Sequence, residues 1–270
     1  MKINPDLQKT DVQTDSMRLA FDDPDFMVRD ESRGIRLQLE LLKADLVQAE
    51  AGIAHTVVVF GSARFVSLEV AQSQLKHAQA SQDTQALMLA ERALQHASYY
   101  EAAREFAHLV AMAGINAPAQ DRFTVCTGGG PGIMEAANRG AHEAGAQSVA
   151  LNIALPNEQR PNPYVSPHLC FKFHYFAIRK MHFMLRAKAL VAFPGGFGTM
   201  DELFEILTLI QTHKSQKVPV LLFGSSYWKN VIHFDAMQVH GTITEADRQC
   251  FEYVDSPTEA WQAIQTFYQR

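Results

Sequence analysis

The chain has 270 residues, enough for one large α/β domain or two small ones. Hydrophobic residues make up 47% of it and charged residues 20%, as in an ordinary soluble globular protein. The formal net charge of −5 argues against a general nucleic-acid binder, which usually presents a basic face.

The cysteines and the apolar runs argue against a disulfide-rich, zinc-binding, membrane or secreted protein. Cys126, Cys170 and Cys250 lie far apart and form no CxxC pair, so we expect buried, reduced thiols and neither a disulfide frame nor a zinc site. No apolar run reaches the roughly 18–20 residues that span a membrane, and the polar, acidic N-terminus is unlike a signal peptide. We therefore expect a cytoplasmic protein with no membrane partner, no metal and no cofactor.

The first 54 residues are expected to stand apart from the main domain. Residues 1–23 are polar and lack periodicity, which predicts a flexible arm. A helix is predicted from Pro24 through Gln48, with an apolar stripe made of Phe26, Ile35, Leu39, Leu42 and Leu46. This helical extension, residues 24–54, is expected to lie across a sheet or at an oligomer interface, and residues 55–270 form the main domain.

The main domain opens with a strand and a small turn. The β-branched run Thr56–Phe60 predicts a central parallel strand, and Gly61-Ser62-Ala63-Arg64 follows at its carboxyl end. A glycine, a hydroxyl and a guanidinium there suit a phosphate or a ribose, which makes Gly61 and Ser62 candidate binding residues. An ordinary turn with a surface arginine is the alternative.

A second glycine turn follows the predicted strand Phe123–Cys126. It has four glycines in five positions, namely Gly128, Gly129, Gly130 and Gly132 around Pro131, and it leads into a helix. A helix that begins at such a turn can bind an anion, although the spacing matches neither GxGxxG nor a Walker A loop. Glu135 and Asn138 follow one helical turn apart and face either the ligand or the solvent.

The next elements carry three further charged candidates. Ser148–Leu155 predicts a strand, and Glu158 lies in the loop just beyond it, either at the ligand crevice or in solvent. The helix predicted over residues 175–188 carries Arg179 and Lys180 beside several aromatic residues. This basic pair either lies along an apolar face with its charges in water or binds an anion.

The third glycine turn has the most informative surroundings. The strand Ala189–Phe193 runs into Gly195, Gly196 and Gly198, after which Thr199 is expected to cap a helix. Free amides and the positive end of the helix dipole converge there and favour an anion. Asp201 and Glu202 in the first helical turn either act on a bound ligand or only complement the dipole.

Strands and helices continue to alternate up to the last helix, predicted from Pro257 to Tyr268. This alternation predicts an α/β fold, a doubly wound parallel sheet flanked by helices.

Together, the Gly128–Ala137 turn and helix start, the Arg179-Lys180 pair and the Pro194–Glu202 segment resemble the Lonely Guy (LOG) family, formerly described as lysine decarboxylase-like. The resemblance covers roughly residues 55 to 268 and is closest to the longer bacterial subgroup. It implies a Rossmann-like fold and phosphoribohydrolase activity. Water would cleave the N-glycosidic bond of a cytokinin riboside 5′-monophosphate or AMP, releasing the free base and ribose 5-phosphate. The alternative is a non-catalytic nucleotide- or molybdenum-cofactor carrier, because related carriers share the glycine turns.

The resemblance also assigns site residues. Arg179 and Glu202 match the catalytic pair, with Arg179 either binding phosphate or assisting departure of the base. The implied substrate-binding residues are Gly61, Ser62, Gly128, Gly129, Gly130, Gly132, Met134, Glu158, Lys180, Gly195, Gly196, Gly198, Thr199, Asp201 and Thr208. A homo-oligomer is expected, because the family builds its sites at a dimer interface and the helix around Arg179 supplies apolar surface.

Overall fold

The computed structural model describes residues 15–81, 83–155 and 160–269. The strands within these residues are β1 (His55–Phe60), β2 (Phe123–Thr127), β3 (Ser148–Ile153), β4 (Cys170–Phe173), β5 (Ala187–Ala192), β6 (Val220–Phe223) and β7 (Glu252–Val254). They form one sheet in the order β4-β3-β2-β1-β5-β6-β7, and every neighbouring pair is parallel. The predicted parallel sheet is confirmed.

Helices cover both faces of this sheet. The α-helices of the described residues are α1 (Pro24–Met27), α2 (Arg33–Glu50), α3 (Leu68–Ser81), α4 (Thr84–Ile115), α5 (Ile133–Glu143), α6 (Phe176–Leu185), α7 (Phe197–Gln211), α8 (Ser225–Val231), α9 (Phe234–Val239), α10 (Glu245–Arg248) and α11 (Pro257–Phe267). One core lies between the sheet and α4, α5 and α11, and a second lies between the sheet and α2, α6, α7, α8 and α9. The doubly wound Rossmann-like class is confirmed.

Strand β1 shows why its sequence is continuously apolar. Val57 and Val59 belong to the core beneath α4 and α5, whereas Val58 and Phe60 belong to the core on the opposite face. A central parallel strand is buried on both sides, so it shows no alternation of apolar and polar residues.

The N-terminal helix differs from its prediction in two ways. It is broken into α1 and α2 by a short 3-10 turn at Asp30–Ser32. The side of α2 that packs on the domain carries Leu37, Leu41, Ala44 and Gln48. The predicted stripe positions Ile35, Leu39, Leu42 and Leu46 are each about half exposed. At 100° per residue the two sets lie on opposite sides of the helix, so α2 has two apolar faces and buries only one.

The sheet order places a crevice beside β1. The chain leaves β1 towards β2 on one side, whereas β5, the other neighbour of β1, continues towards β6 on the opposite side. Ligands of open α/β sheets bind outside the carboxyl ends of the strands at such a switch point. The predicted boundaries at residues 23 and 54 stay predictions, and residues 1–14 of the predicted arm and Glu158 lie outside the described residues.

Candidate active site

A cavity of about 810 Å³ lies at the carboxyl ends of β1, β2, β3 and β5. All three glycine turns reach it. The predicted site residues that line it are Gly61, Ser62, Gly128, Gly130, Met134, Arg179, Gly195, Gly196, Gly198, Thr199, Asp201 and Glu202. Its volume falls within the range of small-molecule sites, roughly 300–1,000 Å³. Residues from distant parts of the sequence therefore meet at one place.

The turn between β5 and α7 is built to leave amides free. Gly196 occupies the N-cap, so the prediction that Thr199 caps the helix was wrong: Thr199 is the third helical residue. The first helical bond runs from Met200 N to Gly196 O at 3.0 Å, which leaves the amides of residues 197–199 without an intrahelical acceptor. A Cβ at Gly195 would collide with the Thr199 hydroxyl, so this position needs glycine.

The turn after β1 is tied to its neighbours through its backbone. Ser62 N donates to Pro194 O at 2.9 Å, and Ile133 N donates to Ser62 O at 3.0 Å. These two hydrogen bonds connect the three glycine turns to one another. Arg64 lines the cavity, is exposed, and forms no ion pair within the described ranges. Its guanidinium is therefore available to an anionic ligand.

The glycines between β2 and α5 have different tasks. Gly129 and Gly132 adopt positive φ angles of 71° and 73°, and neither lines the cavity. Gly132 packs directly on the Ser62 carbonyl, where a side chain would not fit. A Cβ at Gly128 would lie 2.6 Å from an Arg179 Nη2, so glycine leaves room for that guanidinium. Gly129 and Gly132 thus shape the turn, whereas Gly128 faces the site.

Glu135 and Asn138 of α5, which were expected to face either the ligand or the solvent, form hydrogen bonds within the protein. Asn138 is fully buried, accepts from the Thr127 hydroxyl at 2.7 Å and donates to Ser148 Oγ at 2.9 Å. Glu135 accepts a hydrogen bond from the Tyr100 hydroxyl at 2.9 Å. Asn138 therefore faces neither the ligand nor the solvent, whereas Glu135 is partly buried and joins α5 to α4.

Arg179 and Glu202 form an ion pair at the cavity wall. Their Nη1 and Oε1 atoms are 3.0 Å apart, and the side chains are only 10% and 12% exposed. Arg179 Nε also donates to Leu151 O at 2.7 Å, and the guanidinium lies 4.9 Å above the centre of the Phe183 ring. The strand end at Leu151 and the ring therefore hold the arginine in one orientation.

Burial raises the pKa of the Glu202 carboxyl to about 7, although the nearby Arg179 guanidinium acts in the opposite direction. A carboxyl group poised near neutral pH suits acid–base chemistry, and perturbed groups in clefts mark functional sites. Cys126, also predicted to be buried, lies in the core below; burial raises its pKa to about 12, so its thiol stays neutral. Cys170 and Cys250 are only half-buried, contrary to the prediction, and all three thiols are free.

Lys180 and Thr208 lie outside the cavity. Lys180 Nζ pairs with Asp201 Oδ1 at 2.9 Å and with Glu205 Oε2 at 3.0 Å, on the surface between α6 and α7. The Thr208 hydroxyl donates to Phe204 O at 2.7 Å, within its own helix. Both residues line a shallow neighbouring groove instead.

Sequence reasoning missed several cavity residues, among them Asn152, Phe176 and Tyr227. Asn152 carried a signal, because it is a polar residue at the carboxyl end of an otherwise apolar strand, β3. Tyr227 follows β6 by only four residues and is thus at the same edge of the sheet. Phe176 is the first residue of α6, and its apolar side chain lines the cavity and is about half exposed.

The described residues contain neither a cluster of metal-binding side chains nor a membrane-spanning helix. Residues 15–81, 83–155 and 160–269 hold no group of three or more His, Cys, Asp or Glu side chains placed to bind a metal ion. None of the helices in these ranges is both long and apolar enough to cross a bilayer.

The family model described as "Possible lysine decarboxylase" matches residues 134–264. A probable cytokinin riboside 5′-monophosphate phosphoribohydrolase, LOG4 of Oryza sativa subsp. japonica, is 29% identical over 135 residues, 49% of this chain. The pyrimidine/purine nucleotide 5′-monophosphate nucleosidase of Escherichia coli (strain K12) is 33% identical over 112 residues, 38% of this chain. The resemblance to the Lonely Guy family is confirmed. Arg179, Glu202 and the third glycine turn all lie within the matched range.

The similarity to these relatives is partial. The matched region spans 57% of the Oryza protein and 24% of the Escherichia protein. The first two glycine turns of this Lonely Guy-like chain precede the range of the family model. Among solved structures, the molybdenum cofactor carrier protein of Chlamydomonas reinhardtii has 18% identity and a TM-score of 0.44, covering 80% of this chain and 99% of its own.

Proposed function

We propose that the protein hydrolyses the N-glycosidic bond of a nucleoside 5′-monophosphate, releasing the free base and ribose 5-phosphate. The observation that carries this proposal is the buried Arg179–Glu202 pair, which opens onto a cavity beside a helix N-terminus that suits phosphate. The partial relatives named above act, by their names, on nucleoside 5′-monophosphates, which supports the same substrate class.

The proposed substrate pose follows from the charges of the cavity. The 5′-phosphate lies at Gly196 and Gly198, against the amides of residues 197–199, with Arg64 at the rim. Glu202 lies one helical turn further along α7 and faces the same cavity. A phosphate held at the turn therefore places the ribose, and with it the anomeric carbon, beside the carboxylate.

Glu202 supplies the chemistry in this proposal. Cleavage of a ribosyl–base bond passes through an oxocarbenium-like state, which a nearby carboxylate stabilises. With a pKa near 7, the carboxylate takes a proton from the attacking water while the oxygen of that water bonds to the anomeric carbon. The electron pair of the broken C–N bond leaves with the base, which is then protonated. Arg179, held by Leu151 O, orients the carboxylate.

The test is incubation with AMP, with a pyrimidine monophosphate and with N6-isopentenyladenosine 5′-monophosphate, followed by chromatography for free base and ribose 5-phosphate. We expect equal amounts of both products from at least one monophosphate and none from the matching nucleoside without phosphate. Binding of the monophosphates without release of any base would contradict hydrolysis and favour the carrier alternative. Equal cleavage of the nucleosides would contradict the phosphate site.

A homo-oligomer remains a prediction for the proposed enzyme. The outer face of α2 is the candidate contact between copies of the chain. Its apolar residues are about half exposed and repeat at a 4-3-4 spacing, namely Ile35, Leu39, Leu42 and Leu46. We expect light scattering to give at least twice the mass of one chain, and the double variant Leu39→Glu and Leu42→Glu to give a smaller assembly. A monomeric parent protein would contradict the prediction.

A further inference from the structure

Helix α8 forms hydrogen bonds with the third glycine turn and with the end of β5. The Tyr227 hydroxyl donates a hydrogen bond to Gly195 O at 2.6 Å. The next residue, Trp228, is fully buried and donates from Nε1 to Ala192 O at 3.1 Å and to Phe223 O at 2.9 Å. Two neighbouring side chains of one short helix thus hold the end of β5 and the turn that follows it.

The turn needs such a tether because of its composition. Three of the four residues from Gly195 to Gly198 are glycine, and glycine loses more conformational freedom on ordering than any other residue. The Tyr227 bond fixes the carbonyl of the peptide that joins Gly195 to Gly196. This peptide is trans, so its carbonyl and its amide point in opposite directions, and fixing one orients the other.

The position of Gly195 connects this bond with the proposed phosphate site. Gly195 lines the cavity beside the first turn of α7, where the substrate phosphate is proposed to bind. Because the Gly195 carbonyl is held towards Tyr227, the amide of the same peptide points the opposite way. Burial raises the pKa of the Tyr227 phenol above its ordinary value, so the donor proton is present at neutral pH.

We propose that Tyr227 is a positioning residue for phosphate: it acts through Gly195 to hold the glycine turn in the conformation that binds the 5′-phosphate of the substrate. This inference rests on the proposed function, which supplies the phosphate. Tyr227 lies outside the motifs that carry the family resemblance, since it is in the first turn of helix α8, which follows β6.

The test compares Tyr227→Phe with a matched control, Tyr268→Phe. Tyr268 also donates its hydroxyl to a backbone carbonyl, that of Lys188 at 2.7 Å, but Lys188 lies in β5 near the N-terminal end of the strand. Each variant removes one oxygen and leaves a ring of the same shape. Calorimetry measures binding of ribose 5-phosphate and of an unphosphorylated nucleoside, and steady-state kinetics on the preferred monophosphate separates KM from kcat.

We expect Tyr227→Phe to weaken ribose 5-phosphate binding and raise KM by about fivefold, the effect of one hydrogen bond. Its kcat and its nucleoside binding should stay within about twofold of the wild type. Tyr268→Phe should change neither, even if both variants lose the same amount of thermal stability.

Three results would overturn the inference. Unchanged ribose 5-phosphate binding in Tyr227→Phe would show that the bond does not organise the turn. Equal weakening towards the nucleoside would show a general loss of site structure. If the wild-type protein neither binds ribose 5-phosphate nor releases base from any monophosphate, the proposed function fails, and the role of Tyr227 fails with it.

Discussion

Two adjacent basic residues of α6, Arg179 and Lys180, form ion pairs with carboxylates of α7, and the exposure of those carboxylates differs. Arg179 and Glu202 are 10% and 12% exposed and face the cavity. Lys180 pairs with Asp201, which is 56% exposed, and with Glu205, which is 33% exposed, on the outer surface. Both pairs have nearly the same distance between charged atoms, 3.0 Å and 2.9 Å, so geometry alone does not distinguish them.

Burial makes the difference between the two pairs. Adjacent residues on a helix are 100° apart, so one step along α7 leads from the buried Glu202 to Asp201, which still borders the cavity but is 56% exposed. Water screens the outer pair, which is worth at most about 1 kcal/mol. The inner pair has lost most of its water, which raises the pKa of Glu202 to about 7, a value that suits the proposed acid–base role. The same charge pattern thus produces a candidate catalytic pair and a solvated one.

The largest expected effect is on turnover. Glu202→Gln keeps the size of the side chain but removes its charge, and we expect kcat/KM to fall by about 10³-fold, as for loss of a general base. Glu205→Gln removes a carboxylate from the outer pair and should change kcat/KM by no more than about twofold. Steady-state kinetics measures both, and circular dichroism checks that each variant is folded. A comparable fall of kcat/KM in the two variants would contradict the proposal that only the inner carboxylate takes part in turnover.

The next effect is on stability. Arg179→Met leaves the Glu202 carboxyl buried without its partner, and we expect the free energy of unfolding to fall by about 3 kcal/mol at pH 8. Lys180→Met breaks only the outer pair and should cost at most about 1 kcal/mol. Urea denaturation at fixed pH gives both values.

The loss in Arg179→Met should depend on pH. Removing the guanidinium raises the pKa of Glu202 further, because Arg179 is the main influence that lowers it. A folded-state carboxyl pKa above the unfolded value means that stability is highest at low pH and is lost as the pH rises through the folded pKa. The cost should therefore be smaller at pH 6 than at pH 8. A larger cost at pH 6 would contradict the proposed burial effect.

The smallest expected effect is the pH dependence of the wild type. If the reaction needs ionised Glu202, kcat/KM rises through pH 7 and falls about tenfold per unit below it. The substrate phosphate also titrates, near pH 6, but that step appears in every variant. The residual activity of Glu202→Gln should therefore lack the step near pH 7. A wild-type profile that is flat from pH 6 to pH 8 would contradict the assignment.

The local elements of the site were predictable from the sequence. Three apolar runs followed by glycine turns predicted three strand ends at one edge of a parallel sheet, and the structure places Gly61, Gly128 and Gly195 around one cavity. The strands and the turns were predictable because they depend on residues that are close together in the chain. The predicted place of Asp201 and Glu202 in the first helical turn was wrong, because α7 begins at Phe197 and these two residues therefore lie in its second turn.

Other assignments failed because they depended on packing between distant segments. Asn138 and Glu135 could not be placed without knowing that Thr127, Ser148 and Tyr100 approach them. The buried face of α2 could not be assigned from the sequence for a similar reason, since the helix has two apolar faces and only its contact with the domain shows which one is buried.

The sequence by itself determined the parallel sheet, the glycine turns and the charged residues proposed for the site. Apolar runs and glycine turns depend on residues that are close together in the chain. Only the tertiary structure decided that Arg179 and Glu202 are buried together, that Lys180 and the exposed Asp201 pair beside them, and that Tyr227 reaches Gly195. Those outcomes depend on how α6, α7 and α8 pack on the sheet. Burial then sets the local dielectric, which raises the pKa of the Glu202 carboxyl.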